Sequence, residues 1–212
     1  MSKILFILLL MAGLNVQAKT TVIYAGALLA VPGEKVLSNS TIVIEDKVIK
    51  QVLSGYVDAS DIDKIDKEVT IIDLKNSFVL PGLMDMHVHL QGELGPDNIK
   101  DSLKMSSQLV GMRSTYYGMK TLLAGFTTVR DVGSDSQYMY AYRDAVNNGW
   151  VEGPRIIAAG GVGITGGHAD ISGMKPDLME FYTDKSICDG PYDCRRATRD
   201  AIKYGADWIK IT

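Results

Sequence analysis

A chain of 212 residues, 46% hydrophobic and 22% charged, can hold one large domain or a domain and a half around a sizeable core. Its 22 basic and 25 acidic residues give a formal net charge of −3 with no basic block, which argues against a nucleic-acid partner. The glycines fall mostly between periodic segments, so they mark short loops rather than low-complexity sequence.

The first residues, MSKILFILLLMAGLNVQAKT, place Lys3 before an apolar run from Ile4 to Leu14 and end it at Val16 to Ala18, the layout of a secretory signal cut after Ala18. The apolar run falls short of the roughly 20 residues that a membrane-spanning helix needs. No cysteine follows it directly to carry a lipid, so a stable membrane anchor is the weaker alternative. Residues 1–18 are therefore expected to be a signal peptide, with the mature protein periplasmic or secreted and starting at Lys19.

From Thr20 to about Val79, TVIYAGALLAV, STIVIEDKVIKQVL and VTIIDLKNSFVL are short β-like runs separated by Gly, Pro, Asn, Asp and Ser. They read as a small antiparallel sheet over residues 19–79. After Pro81 strands alternate with helix-length segments, the pattern of βα units on a parallel sheet.

VLPGLMDMHVHL opens this second region. In an extended strand Asp85, His87 and His89 share one face and Met84, Met86 and Val88 the other. Two neutral imidazoles on one face suit a divalent metal, since each offers a nitrogen lone pair. Taken alone, the pair is as readily structural. A helix from about Ile99 to Ala124 follows, with Leu103, Val110, Tyr117 and Leu122 among its apolar positions. TTVRDVG is the next strand, then a helix from Met139 to Asn147 that stops at Asn148-Gly149. RIIAAGG is the third strand and leads into the loop GGVGITGGHAD.

In CDGPYDC, Gly190-Pro191 is a turn signal between Cys188 and Cys194. Export makes a small-loop disulfide the preferred reading over a zinc site, with two half-buried free thiols as the alternative. DCRRATRDAIKYG gives a third helix ending at Gly205, and DWIKIT the fourth strand. By alternation Trp208, Lys210 and Thr212 share a face, while Ile209 and Ile211 pack on the helices. Lys210 then points inward. A buried lysine tends to lose its charge or find a partner, and one neutral solution is a carbamate bridging two metal ions. The alternative is a lysine that snorkels out at the strand end.

Four parallel strands joined by helices fit the first half of a (β/α)8 TIM-type barrel, whose full length is roughly 250 residues. An open doubly wound sheet is the competing fold, but no Gly-x-Gly-x-x-Gly turn follows the first strand. The barrel places function at the C-terminal ends of the strands, where His87, His89, Asp131, the TGGH loop and Lys210 fall.

FVLPGLMDMHVHL, GFTTVRDVG, GPRIIAAGGVGITGGHAD and GADWIKIT together resemble the metal-dependent amidohydrolases, over a stretch from about Val22 to Thr212. The likeness is to the branch of imidazolonepropionase-related enzymes and secreted Xaa-Pro dipeptidase-like or carboxypeptidase-like hydrolases. It implies an α/β fold in which residues 19–79 belong to a small β-sandwich domain and residues 80–212 supply the first four βα units of the barrel. It also implies that His87 and His89 ligate the more buried metal, that Lys210 as a carbamate bridges two zinc ions, and that His168 orients the substrate. Two further histidine ligands and the proton-transferring aspartate of that family are expected beyond Thr212. The catalytic residue itself is therefore unknown from these residues, which taken alone are expected to be an inactive fragment.

The activity implied is hydrolysis of C–N bonds in a small substrate, a dipeptide or N-acyl amino acid, by metal-activated water. A cyclic-amide hydrolase or deaminase of the same family, or a non-catalytic barrel scaffold, are the alternatives, and assembly as a homo-oligomer is left open. One departure from the pattern is Asp46-Lys47, where an Asp-Gly hairpin turn is usual, so a different turn type is expected.

Overall fold

The computed structural model describes residues 19–62, 69–93, 95–96, 100–101, 104–170, 173, 175–179, 181 and 184–212. The expected signal segment, residues 1–18, and Leu103 of the first expected helix lie outside these. The chain divides into two compact units between Pro81 and Gly82.

In the first unit β1 (Thr20–Leu28) pairs antiparallel with β2 (Leu37–Glu45), and β2 with β3 (Val48–Ser54). The β2–β3 turn is Asp46-Lys47, and only Asp46 takes a positive φ, +56°. The short polar side chain thus occupies the left-handed position and the lysine avoids it.

The fourth strand departs from the antiparallel expectation. β4 (Val69–Val79) lies beside β1 and runs parallel to it, so the sheet is mixed, in the order β3-β2-β1-β4. The connection over residues 55–68 meets the dozen or so residues that a parallel crossover requires. Part of it is a 3-10 turn, Ala59–Asp61, after which Ile62 is buried against Val22, Tyr24 and Val43 on one face of the sheet. Ala25, Leu28 and Ile42 form the cluster that buries the other. Among the described residues this unit is a single four-stranded sheet; no second sheet completes the expected sandwich.

In the second unit the chain runs β5 (Leu83–Val88), α1 (Ser107–Leu123), β6 (Phe126–Asp131), α2 (Ser136–Asn147), β7 (Arg155–Ile164), a one-turn helix α3 (Pro176–Met179), β8 (Ile187–Cys188), α4 (Gly190–Lys203) and β9 (Trp208–Ile211). Every strand pair is parallel, with β6 between β5 and β7 and with β9 on the far side of β7. The two-residue β8, unexpected from sequence, pairs with the end of β7 at Gly163 and Ile164.

The helix expected from residue 99 is interrupted: residues 100, 101 and 104 are helical, Met105 and Ser106 are not, and α1 starts anew where the Ser106 hydroxyl accepts the Leu109 N–H at 3.3 Å and caps it. Asp135 caps α2 by accepting the Gln137 N–H at 3.0 Å, and Gly149 ends that helix at φ +71°. Val129, Met139, Tyr142, Ile156 and Ala158 form the core between β6, β7 and α2. Helix α1 joins at Gly118, where a Cβ would fall 2.1 Å from the Tyr142 hydroxyl oxygen. A smaller core of Val162, Cys188 and Ala197 seats α4 on β7, with Ile209 against it.

Cys188 and Cys194 are disulfide-bonded, Cα–Cα 4.9 Å, linking the end of β8 to the start of α4. The Gly190-Pro191 turn signal marks a strand-to-helix junction, with Gly190 at φ +67° and the proline inside the first helical turn.

Candidate active site

His87 lies near the C-terminal end of β5, His89 one residue past it, Asp131 at the end of β6, and Lys210 next to the end of β9. The expected alternation through Asp85, His87 and His89 does not hold. The Asp85 carboxylate accepts the His87 N–H at 2.9 Å, and the β5–β6 register slips between Asp85 and Val88. A side chain that captures a strand N–H removes it from the ladder, and the strand bulges. As a result Asp85, Val88 and His89 line one concavity, of about 310 Å³, together with Tyr117 and Lys120 of α1. His87 lines another, of about 290 Å³, with Arg130, Trp208 and Lys210. The two imidazoles remain neighbours, ring centroids 5.4 Å apart at 41°.

In the His87 concavity, Arg130 donates its Nε–H to the Met86 carbonyl at 2.8 Å, and its guanidinium carbon lies 5.6 Å from the Trp208 ring centroid. It thereby braces β5 against β9. The same period-two pattern that buries Val129 and Asp131 puts Arg130 on the opposite face, and this was available from TTVRDVG. Among the described residues no carboxylate lines this concavity. Lys210 is half-buried and makes no hydrogen bond or ion pair among the described residues. Ile209 packs against the core beneath α4, on the helix side as expected, whereas Ile211 is 77% exposed.

His168 stands apart. It is exposed in the turn after β7, a turn closed by the Gly166 N–H donating to the Asp170 carboxylate at 2.7 Å, and it lines neither concavity.

Beside the other concavity, Glu93 accepts a hydrogen bond from the Lys120 ammonium and raises its pKa. Near the end of β6, burial pushes the Asp135 carboxyl above its ordinary range.

A metal needs at least three protein ligands in most sites. Among the described residues no group of three or more His, Cys, Asp and Glu is placed to hold one. Two adjacent imidazoles and a lysine fit one side of a metal centre, and only if the lysine becomes an oxygen donor, because an ammonium has no lone pair.

Three solved structures are similar to this chain. A Xaa-Pro dipeptidase with methionine bound in its active site is 36% identical, with a TM-score of 0.78 over 91% of this chain and 47% of that one. A prolidase complexed with N-methylphosphonate-L-proline is 28% identical, with a TM-score of 0.71 over 91% and 46%. The A. niger ochratoxinase is 28% identical, TM-score 0.71, over 92% and 47%. The chain spans about half the length of these relatives, and its parallel strands β5, β6, β7 and β9 are part of a (β/α)8 barrel. No curated protein matches the chain. The amidohydrolase family pattern matches residues 78–212, and the chain belongs to the amidohydrolase family.

Proposed function

We propose that this chain is the N-terminal half of an exported, zinc-dependent amidohydrolase that cleaves C–N bonds in dipeptides or N-acyl amino acids. The observation that carries the reading is the meeting of His87 and Lys210 in one concavity at the C-terminal ends of β5 and β9, with His89 beside His87. That is where barrel enzymes of this kind place their chemistry. The similarity to a Xaa-Pro dipeptidase and a prolidase supports the dipeptide part.

His87 and His89 would hold a metal, and Lys210, as a carbamate, would add oxygen ligands to the same centre. Bound there, zinc would supply a water of lowered pKa and an electrophile that polarises a carbonyl. The chain's own residues shape the surroundings. Arg130 and Trp208 wall the concavity, and the Arg130 guanidinium suits an anionic carbamate. His168, on its exposed turn, would meet the substrate rather than the metal. The remaining ligands and the proton-transferring aspartate would come from beyond Thr212.

The test is to express the full-length protein with its native leader, recover it from the periplasm or medium, and assay dipeptides and N-acyl amino acids. A mature N-terminus at Lys19 and turnover that is lost on chelation and restored by zinc are expected. Chelator-insensitive turnover, or no turnover on either class, would reject the reading.

A further inference from the structure

Among the described residues Asp131 is the one buried carboxylate at the strand ends, 2% exposed. Both of its oxygens are occupied. Oδ2 accepts the Leu90 N–H at 2.6 Å and the Ser134 hydroxyl at 2.7 Å. Oδ1 accepts the Ser134 N–H at 2.9 Å and the Gly133 N–H at 3.2 Å. A carboxylate offers about four acceptor positions, so Asp131 has none left for a metal or substrate.

What these bonds hold is the segment carrying His89. The Val88 carbonyl before it accepts the Val132 N–H at 3.1 Å, and the Leu90 N–H after it goes to Asp131. The imidazole rests against the backbone that Asp131 also fixes, since a Cβ on Gly133 would fall 2.1 Å from His89 Cε1. The two loops are stitched again where the Gln91 N–H donates to the Ser134 hydroxyl oxygen at 3.2 Å and the Asp135 N–H to Gln91 Oε1 at 2.6 Å.

We infer that Asp131 is a positioning residue for His89: it clamps the loop after β5 to the loop after β6 and so sets where that imidazole points. This rests on the proposal that His89 is a metal ligand. His89 is beyond the strand, with its N–H and C=O outside the β5–β6 ladder. Its direction depends on the clamp rather than on the sheet. Groups that orient a metal-binding histidine commonly cost 10–100-fold in metal affinity when removed.

The test uses the full-length protein and its Asp131→Asn variant, which keeps the shape but replaces one acceptor oxygen by an NH2 group. Two quantities are read: the zinc dissociation constant by competition with a chelator, and the His89 imidazole signal in 15N-histidine-labelled, zinc-free protein, assigned by its loss in His89→Gln. A zinc dissociation constant raised about tenfold or more, with the His89 signal shifted or split and the His168 signal unmoved, is the expected result. Zinc affinity and His89 signal both unchanged would overturn the inference. If Asp131→Asn fails to fold, Ser134→Ala removes a single donor and is read the same way: a displaced His89 signal supports the clamp and an unmoved one overturns it. If His89→Gln itself binds zinc as the parent does, the metal reading falls, while the zinc-free His89 signal still decides the clamp.

Discussion

The Arg143 guanidinium lies 2.9 Å from the Asp207 carboxylate and so joins helix α2 to the turn that launches β9, the strand bearing Lys210. The same carboxylate oxygen accepts the Ala158 N–H of β7 at 2.9 Å, and the guanidinium also donates to the Gly205 carbonyl at 2.6 Å. Arg143 is only 13% exposed, and without Asp207 this largely desolvated cation is left with Asp144, 2.9 Å from its Nε, and the Gly205 carbonyl. Asp207→Ala is therefore expected to lower stability by about 1–3 kcal/mol, the usual cost for hydrogen bonds to charged groups. Denaturant unfolding of the full-length protein checks this, and an unchanged midpoint would show that the pair does not hold β9.

Gly133→Ala tests the seat of the His89 ring from the other side. The new methyl would occupy the place of His89 Cε1, and the exposed imidazole can swing away more readily than the loop backbone can move. The expected variant folds normally but binds zinc more weakly. Parent-like zinc affinity would mean that the ring position against Gly133 does not matter to the metal.

Asp135 gives a pH signature. Burial raises its carboxyl pKa; the Gln137 and Tyr138 N–H groups pull it partly back, and nearby Asp184 raises it further. A carboxyl whose folded pKa lies above its ordinary 3.8 contributes stability that is present below that value and lost as pH rises through the folded pKa. Asparagine at this position can still cap α2 and carries no charge. Asp135→Asn should thus be more stable than the parent at pH 7, with the advantage vanishing below 3.8. An advantage independent of pH would point away from the carboxylate charge.

The Cys188–Cys194 bridge closes a loop with a sequence separation of only 6. On the chain-entropy account a loop this short contributes about 2 kcal/mol. Replacing both cysteines with serine should cost about that much in unfolding free energy, and thiol labelling of the parent should need prior reductant. Full labelling without reductant would remove the bridge.

Much of the second unit is legible in the chain itself. Val129 and Asp131 alternate with Arg130 as a half-buried strand should, and Asn148-Gly149 ends α2 where the helix pattern stops. What local pattern does not carry is partnership. Nothing in VTIIDLKNSFVL says that β4 will run parallel to β1, because an edge strand reads alike in either direction. The placement of His89 was hidden for a related reason. Alternation assumes an unbroken ladder, and the Asp85 side chain breaks it by taking the His87 N–H. His87 and Lys210 come together as the period-two reading implies, while His89 turns toward α1 and is fixed by Asp131, a contact across 41 residues of sequence.

The measurement that bears most directly on the central claim is the zinc content of the full-length protein and of its His87→Ala, His89→Ala and Lys210→Ala variants, determined by elemental analysis after exhaustive dialysis. The parent should retain two ions per chain, each histidine variant should lose metal and turnover together, and Lys210→Ala should recover part of its activity when a small carboxylic acid is supplied in place of the carbamate. Parent-like zinc in both histidine variants would contradict the assignment of this site as a metal centre.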